Sequence, residues 1–176
     1  MNKDVILESD NIYYVNVSYD LIDEHLKILN NPNIKKFLTA DSKPYTYEDR
    51  FKRVKRALDG DGLILLSLFE KKTGYFIGNI DFDNITLDSE IKNAEIGVTI
   101  AEEFQNRHYG QEALKTFIDY GFNDLNLDEI YLVVYSNNYR AIHLYEKLGF
   151  VPYKTEKNVA IIGGEKVDDI YMKLHK

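Results

Sequence analysis

The run Gln105-Asn106-Arg107-His108-Tyr109-Gly110-Gln111 has the composition and placement to hold an anion. Ahead of it, Ile96, Val98 and Ile100 alternate with Glu95, Gly97 and Thr99, the period of a half-buried strand. Behind it, Leu114, Ile118 and Phe122 recur at i, i+4 and i+8 beside Ala113 and Phe117, so one face of a helix is apolar. A helix therefore starts just past a strand end. Its first N–H groups have no carbonyl a turn behind them, and the positive end of its dipole adds to their pull. Such a point suits a phosphate without needing a lysine, and successive loop N–H groups can extend it into a nest. Arg107 either adds a charge-assisted hydrogen bond or is a solvated surface arginine.

A second motif follows. Asn138, Ala141, Tyr145, Gly149 and Phe150 spell N-x-x-A-x-x-x-Y-x-x-x-G-F. Residues 105–110 spell the loop Q/R-x-x-G-x-G/A, with His108 where glycine is usual. Two motifs in this order, separated by a helix and a strand, resemble the acetyl-CoA-binding core of the GNAT N-acetyltransferase superfamily. The likeness is closest to the subgroup of spermidine and ribosomal-protein N-acetyltransferases. It is good over residues 94–151, fair from Thr73 onward and poor before that.

The resemblance implies acetyl-CoA as acetyl donor, no metal, and a primary amine as acceptor. It implies that backbone groups of Val98, Thr99 and Ile100 pair with the pantetheine arm as an added strand. The N–H groups from Arg107 to Gln111 would surround the pyrophosphate, flanked by Gln105 and Asn106, and Asn138 and Ala141 would lie along the arm or cap their helix. Tyr145 is implied as the phenol that gives the leaving thiolate a proton or a hydrogen bond. Packing on the stripe with Ala141 and Leu148 is its other reading. An attacking amine must be neutral, yet alkylamines are mostly protonated at pH 7. Glu95, on the strand beside the thioester and opposite Ile96 and Val98, is the candidate base; otherwise it is a surface carboxylate. His108 is expected to keep a negative φ and reshape the loop, facing phosphates and not the amine.

Composition sets the frame. A chain of 176 residues with 44% hydrophobic content can bury one core, so one domain over residues 1–176 is expected. With no cysteine there is no disulfide, thiolate metal site or cysteine nucleophile. The start MNKDVILESD has no basic region followed by an apolar run, and no eighteen apolar residues are consecutive, so a cytoplasmic protein without a membrane partner is expected. A net charge of −7 argues against a nucleic-acid partner and is compatible with a cationic acceptor. A homodimer is left open.

The elements that must position these residues are read in order. Ile12–Val17 is the first strand, and Asp20 caps a helix that ends near Asn30-Asn31-Pro32. A short helical piece at Ile34–Leu38 and a loop at Asp41-Ser42-Lys43-Pro44 follow. Thr46 with Asp49 opens a helix whose Lys52, Arg53, Lys55 and Arg56 read as an exposed basic face. Leu63–Phe69 and Tyr75–Phe82 form a hairpin turning at Gly74, and Ile130–Tyr135 precedes the helix carrying Tyr145. Two strands, Val151–Ala160 and Val167–Leu174, close the chain around Gly163-Gly164. The fold class is α/β (α+β): a GNAT-like domain with a central mixed, largely antiparallel twisted sheet and helices on both faces.

The acceptor reading rests on Asp81, Asp83, Asp88 and Glu90, which suit a polyamine or are a solvated acidic loop. Tyr13, Tyr14, Tyr45 and Tyr47 either line a pocket or reflect the 14 tyrosines of the chain. A protein N-terminus is the other acceptor class. A non-catalytic acetyl-CoA-binding module is the other function, and a different phosphate-binding α/β protein is disfavoured by the absence of G-x-G-x-x-G and G-x-x-x-x-G-K-[ST].

Overall fold

In the computed structural model, which describes residues 4–41 and 43–176, eight strands form one sheet in the order β1-β2-β3-β4-β5-β6-β8-β7. They are β1 Val5–Glu8, β2 Ile12–Asn16, β3 Ile64–Glu70, β4 Phe76–Thr86, β5 Asn93–Ile100, β6 Glu129–Tyr135, β7 Val151–Ile162 and β8 Glu165–His175. The helices are α1 Ile22–Leu29, α2 Pro32–Lys35, α3 Tyr47–Leu58, α4 Tyr109–Asn123 and α5 Tyr139–Lys147. Every neighbouring pair is antiparallel except β5 and β6. The mixed, largely antiparallel sheet is borne out. Ser42, in the expected loop, and Met1–Lys3 lie outside the described residues.

Alternation along β4 decides which helix covers which face. Phe82 stacks on Phe117 of α4 with centroids 4.2 Å apart. Helix α4 comes so close there that a Cβ on Gly121 would lie 2.7 Å from the Phe82 ring, which only glycine allows. Asp81 and Asp83 point the other way, and α3 meets them with Arg53. Helices therefore cover both faces. The larger core lies against α4, and a smaller one of Val17, Ile22, Val54, Leu63 and Leu65 lies under α1 and α3.

The short exposed strand β1 was not expected, because four residues are too few to display a period. Ser18, not Asp20, caps the start of the first helical segment. Ser18 has extended dihedrals (φ −138°, ψ 155°), and its hydroxyl accepts the Asp20 N–H at 3.2 Å. Helix α2 starts at Pro32, capped by Asn31, two residues earlier than the expected piece. At α3 the expected start is a full capping box: Thr46 accepts the Asp49 N–H at 3.2 Å and Asp49 accepts the Thr46 N–H at 2.9 Å. Gly74 has φ +73° at the hairpin turn.

The basic face of α3 is a correction. Lys52 and Lys55 are exposed as expected, paired with Glu48 and Asp59 one turn away. Arg53 and Arg56 instead reach the sheet and hold Asp81 and Asp83, while Arg50 is buried. Among the described residues, no helix is long and apolar enough to cross a membrane.

Candidate active site

Strands β5 and β6 are parallel neighbours only at Asn93↔Glu129, Ala94↔Ile130 and Glu95↔Tyr131. Beyond that point β5 continues to Ile100 and β6 to Tyr135 without pairing to each other. The sheet forks, and the facing edges present backbone donors and acceptors to whatever enters. A cleft of about 1170 Å³ opens over the fork and runs from α5 and the start of α4 to α1, α2 and α3. Every residue expected to bind the donor or to act in catalysis lines it except Arg107.

The loop before α4 is built by two left-handed residues, Asn106 (φ +61°) and His108 (φ +66°). The expected negative φ at His108 is overturned. Asparagine and histidine are among the residues that tolerate this conformation, so the loop keeps the shape that glycine usually provides. His108 is the N-cap of α4 but its side chain makes no capping bond, so the first-turn N–H groups are left for another partner. Arg107 is exposed and is not among the lining residues; its guanidinium lies over the ring of Phe104 at 5.4 Å. Gln105 has a role that spacing did not reveal. Its amide donates to the Ile100 carbonyl at 2.9 Å and accepts from Arg140 at 3.1 Å, tying the end of β5 to α5.

The second motif shapes α5. Asn138 caps it, accepting the Ala141 N–H at 3.3 Å. Gly149, at φ +95°, turns the chain so that the Phe150 N–H reaches the Tyr145 carbonyl at 3.0 Å. Phe150 is thereby buried under Tyr145, edge to face at 5.8 Å. The ring of Tyr145 is packed while its residue still borders the cleft, so packing and chemistry coexist. Burial pushes the Tyr145 phenol up to about 12, which keeps it protonated as a donor. Beside the cap, Asn137 Oδ1 is buried, has no partner among the described residues, and belongs to a residue lining the same cleft.

Glu95 stands at the apex of the fork and accepts from Asn84 at 3.0 Å. On the same face of β4 stand Asn79, Asp81 and Asp83, opposite Thr99, Gly97 and Glu95. Asp81 bonds Arg53 at 2.7 Å, and Asp83 bonds Arg53 at 2.8 Å and Arg56 at 2.7 Å. Burial pushes the Asp81 carboxyl up to about 6, against the pull of Arg53 and Arg50. Of the four acids read as a cation site, two are thus already paired, and Asp88 and Glu90 are exposed. Of the four tyrosines, only Tyr45 lines the cleft; Tyr14 is fully buried, and Tyr13 and Tyr47 face outward. Sequence reasoning missed Arg50, Arg53 and Asn79 as lining residues, although Asn79, Asp81 and Asp83 fall at i, i+2 and i+4 of an otherwise apolar strand.

Behind them, Arg50 donates to His25 Nδ1 from Nε at 2.9 Å and from Nη2 at 2.7 Å. His25 is fully buried, and that burial, with Arg50 next to it, lowers its pKa to about 3. An imidazole accepting at Nδ1 carries its proton on Nε2, which faces Ser67 Oγ at 3.3 Å. In the unfolded chain His25 titrates near 6.5, so between about 3 and 6.5 only the unfolded state takes up the proton. The neutral imidazole is therefore expected to contribute fully above pH 6.5 and to lose on the order of 4 kcal/mol as pH falls toward 3. Asp81 acts in the opposite sense between about 3.8 and 6, so wild type must be compared with His25→Gln. Melting temperature against pH should fall less steeply on the acid side in the variant; identical acid limbs would contradict the assignment.

Comparison with known proteins fits this arrangement. The model of the acetyltransferase (GNAT) domain family matches residues 15–151. A spermidine N(1)-acetyltransferase of Escherichia coli is 44% identical over 59 residues, 34% of this chain and 32% of that protein. The chain thus aligns with about a third of the length of that relative. An L-amino acid N-acetyltransferase of the same organism is 30% identical over 99 residues, covering 56% of this chain and 61% of that one. In fold, the crystal structure of spermidine N-acetyltransferase from Vibrio cholerae in complex with CoA and spermine superposes with a TM-score of 0.84, at 22% identity over 95% of this chain and 96% of that one. A forked sheet, a left-handed loop at a helix start and a family model spanning most of the chain agree, and the chain belongs to the GNAT acetyltransferase family.

Proposed function

We propose that the protein moves the acetyl group of acetyl-CoA to a primary amine by direct attack of the amine on the thioester. The observation that carries this reading is the convergence of the fork, loop 105–111 and Tyr145 on one cleft. The unpartnered Asn137 Oδ1 and the facing edges of β5 and β6 suit an amide-bearing arm laid between the strands. The uncapped start of α4 suits the pyrophosphate. Acetyl-CoA supplies the activated acyl carbon and the thiolate leaving group. The new N–C bond forms as the C–S bond breaks, and the amine proton passes to Glu95 directly or through water.

Tyr145 donates to the departing sulfur. Its phenol is held near 12, whereas a thiol titrates near 8.5, so complete proton transfer would run uphill by roughly 5 kcal/mol. A hydrogen bond that strengthens as charge develops costs no such transfer. The thiolate takes its proton from water after release.

The relatives named for spermidine support a polyamine as acceptor. The pairing of Asp81 and Asp83 with arginines favours a second reading, a less cationic amine, as does the amino-acid-acetylating relative. A screen of polyamines, amino acids, aminoglycosides and N-terminal peptides with acetyl-CoA, read as free thiol, tests the function. At least one amine class should release thiol in proportion to acetylated product. No release with any amine, while acetyl-CoA still raises the melting temperature, would favour a non-catalytic binding module.

A further inference from the structure

Resting on that reading, we propose that the acceptor carries a carboxylate near its amine and that Arg50 receives it, with the amide oxygen of Asn79 beside it for an acceptor N–H. Arg50 lines the cleft, is only 5% exposed, and among the described residues has no carboxylate within ion-pair distance. It gives Nε and one Nη2 hydrogen to the neutral His25 ring, so among the described residues the rest of the guanidinium fork is left for the cleft. A buried cation held by a neutral imidazole lacks the counter-charge that usually stabilises one.

Asp81 attracts Arg50 without bonding it. Three guanidinium groups, Arg50, Arg53 and Arg56, stand against two carboxylates, Asp81 and Asp83, and both carboxylates are bonded to Arg53 or Arg56. Glu95 is hydrogen-bonded to Asn84, and the exposed Asp49 is held by the capping box of Thr46. Among the described residues Arg50 is thus the one of these three guanidinium groups with no carboxylate bonded to it, and a carboxylate in the cleft could bond it where a polyamine could not. Asn79 provides the second observation. It is 4% exposed and lines the cleft, and among the described residues its Oδ1 has no partner. It stands directly across from Ser67, which meets His25, which holds Arg50, so neighbouring polar groups present an acceptor and a donor fork on one face.

Pairs of acceptors that differ only in the carboxylate test this: lysine against 1,5-diaminopentane, and phenylalanine against 2-phenylethylamine. Wild type should prefer the carboxylated member by about 10- to 100-fold in kcat/KM, the worth of a charge-assisted bond to a desolvated guanidinium. Arg50→Gln should erase the preference and keep the melting shift given by acetyl-CoA. Equal or better use of 1,5-diaminopentane or spermidine by wild type overturns the proposal. So does a folded Arg50→Gln that loses the acetyl-CoA shift, because the guanidinium would then serve phosphates of the donor. Should that variant not fold, the wild-type pairs decide alone. Melting shifts with N-acetylphenylalanine against N-acetyl-2-phenylethylamine, in the presence of CoA, read the same preference without turnover. A preference there with no thiol release anywhere would uphold the carboxylate site while the transferase reading fails.

Discussion

Tyr145→Phe is expected to lower kcat by about 10²- to 10³-fold while leaving acetyl-CoA affinity nearly unchanged. The substitution keeps the ring that packs edge to face on Phe150 at 5.8 Å, so the fold of α5 and its Gly149 turn should survive. What disappears is a hydroxyl that burial holds near 12 and that interacts mainly with charge formed in the transition state. Loss from kcat and kcat/KM alike, with the acetyl-CoA melting shift intact, is the signature of such an interaction. A wild-type kcat in the variant would leave packing as the residue's whole role and assign the thiolate's stabilisation to water.

Gly110→Ile is expected to abolish the rise in melting temperature that acetyl-CoA gives to wild type. A Cβ at position 110 would lie 3.9 Å from Ile100 Cγ1 and 3.9 Å from Leu144 Cδ2, ordinary contact distances, so Gly110→Ala should fold and bind. The further carbons of isoleucine must go between the end of β5 and α5, into the space proposed for the donor's phosphates. At a ligand concentration 100 times Kd, wild type should gain about 2.7 kcal/mol, a shift of a few degrees for a chain of this size. The isoleucine variant should show none of it. An undiminished shift would remove the loop from the binding site.

Local features of the chain were legible because local physics makes them. The capping box at Thr46 and Asp49, the left-handed Gly74 and the Asn138-to-Phe150 motif each complete their geometry within a few residues. The fork was legible only through the family resemblance. It depends on the parallel register of β5 and β6 ending at Glu95↔Tyr131, across more than thirty residues of chain, which no period in either strand encodes. His108 was misjudged because residue type was taken to set φ, whereas the loop sets it and histidine tolerates it. Arg50 was passed over although it lies one turn before Val54, on the stripe that faces the sheet. Its burial follows from a neutral imidazole and a cleft that lie 25 residues away and beyond, outside any helical pattern. The acid run from Asp81 to Glu90 was read as one cluster. Alternation splits it: Asp81 and Asp83 share the face on which α3 places its arginines.

A single-turnover reaction tests the central claim, transfer in one step from donor to amine within this cleft, most directly. With protein in excess over acetyl-CoA and an accepted amine present, the reaction is quenched at intervals and the protein and amine are weighed by mass spectrometry. Acetyl should appear on the amine at the rate that thiol appears, and the protein mass should stay unchanged throughout. An acetylated protein that forms first and then passes its acetyl group to the amine would contradict direct attack, and consumption of acetyl-CoA with no acetylated amine would contradict the transfer itself.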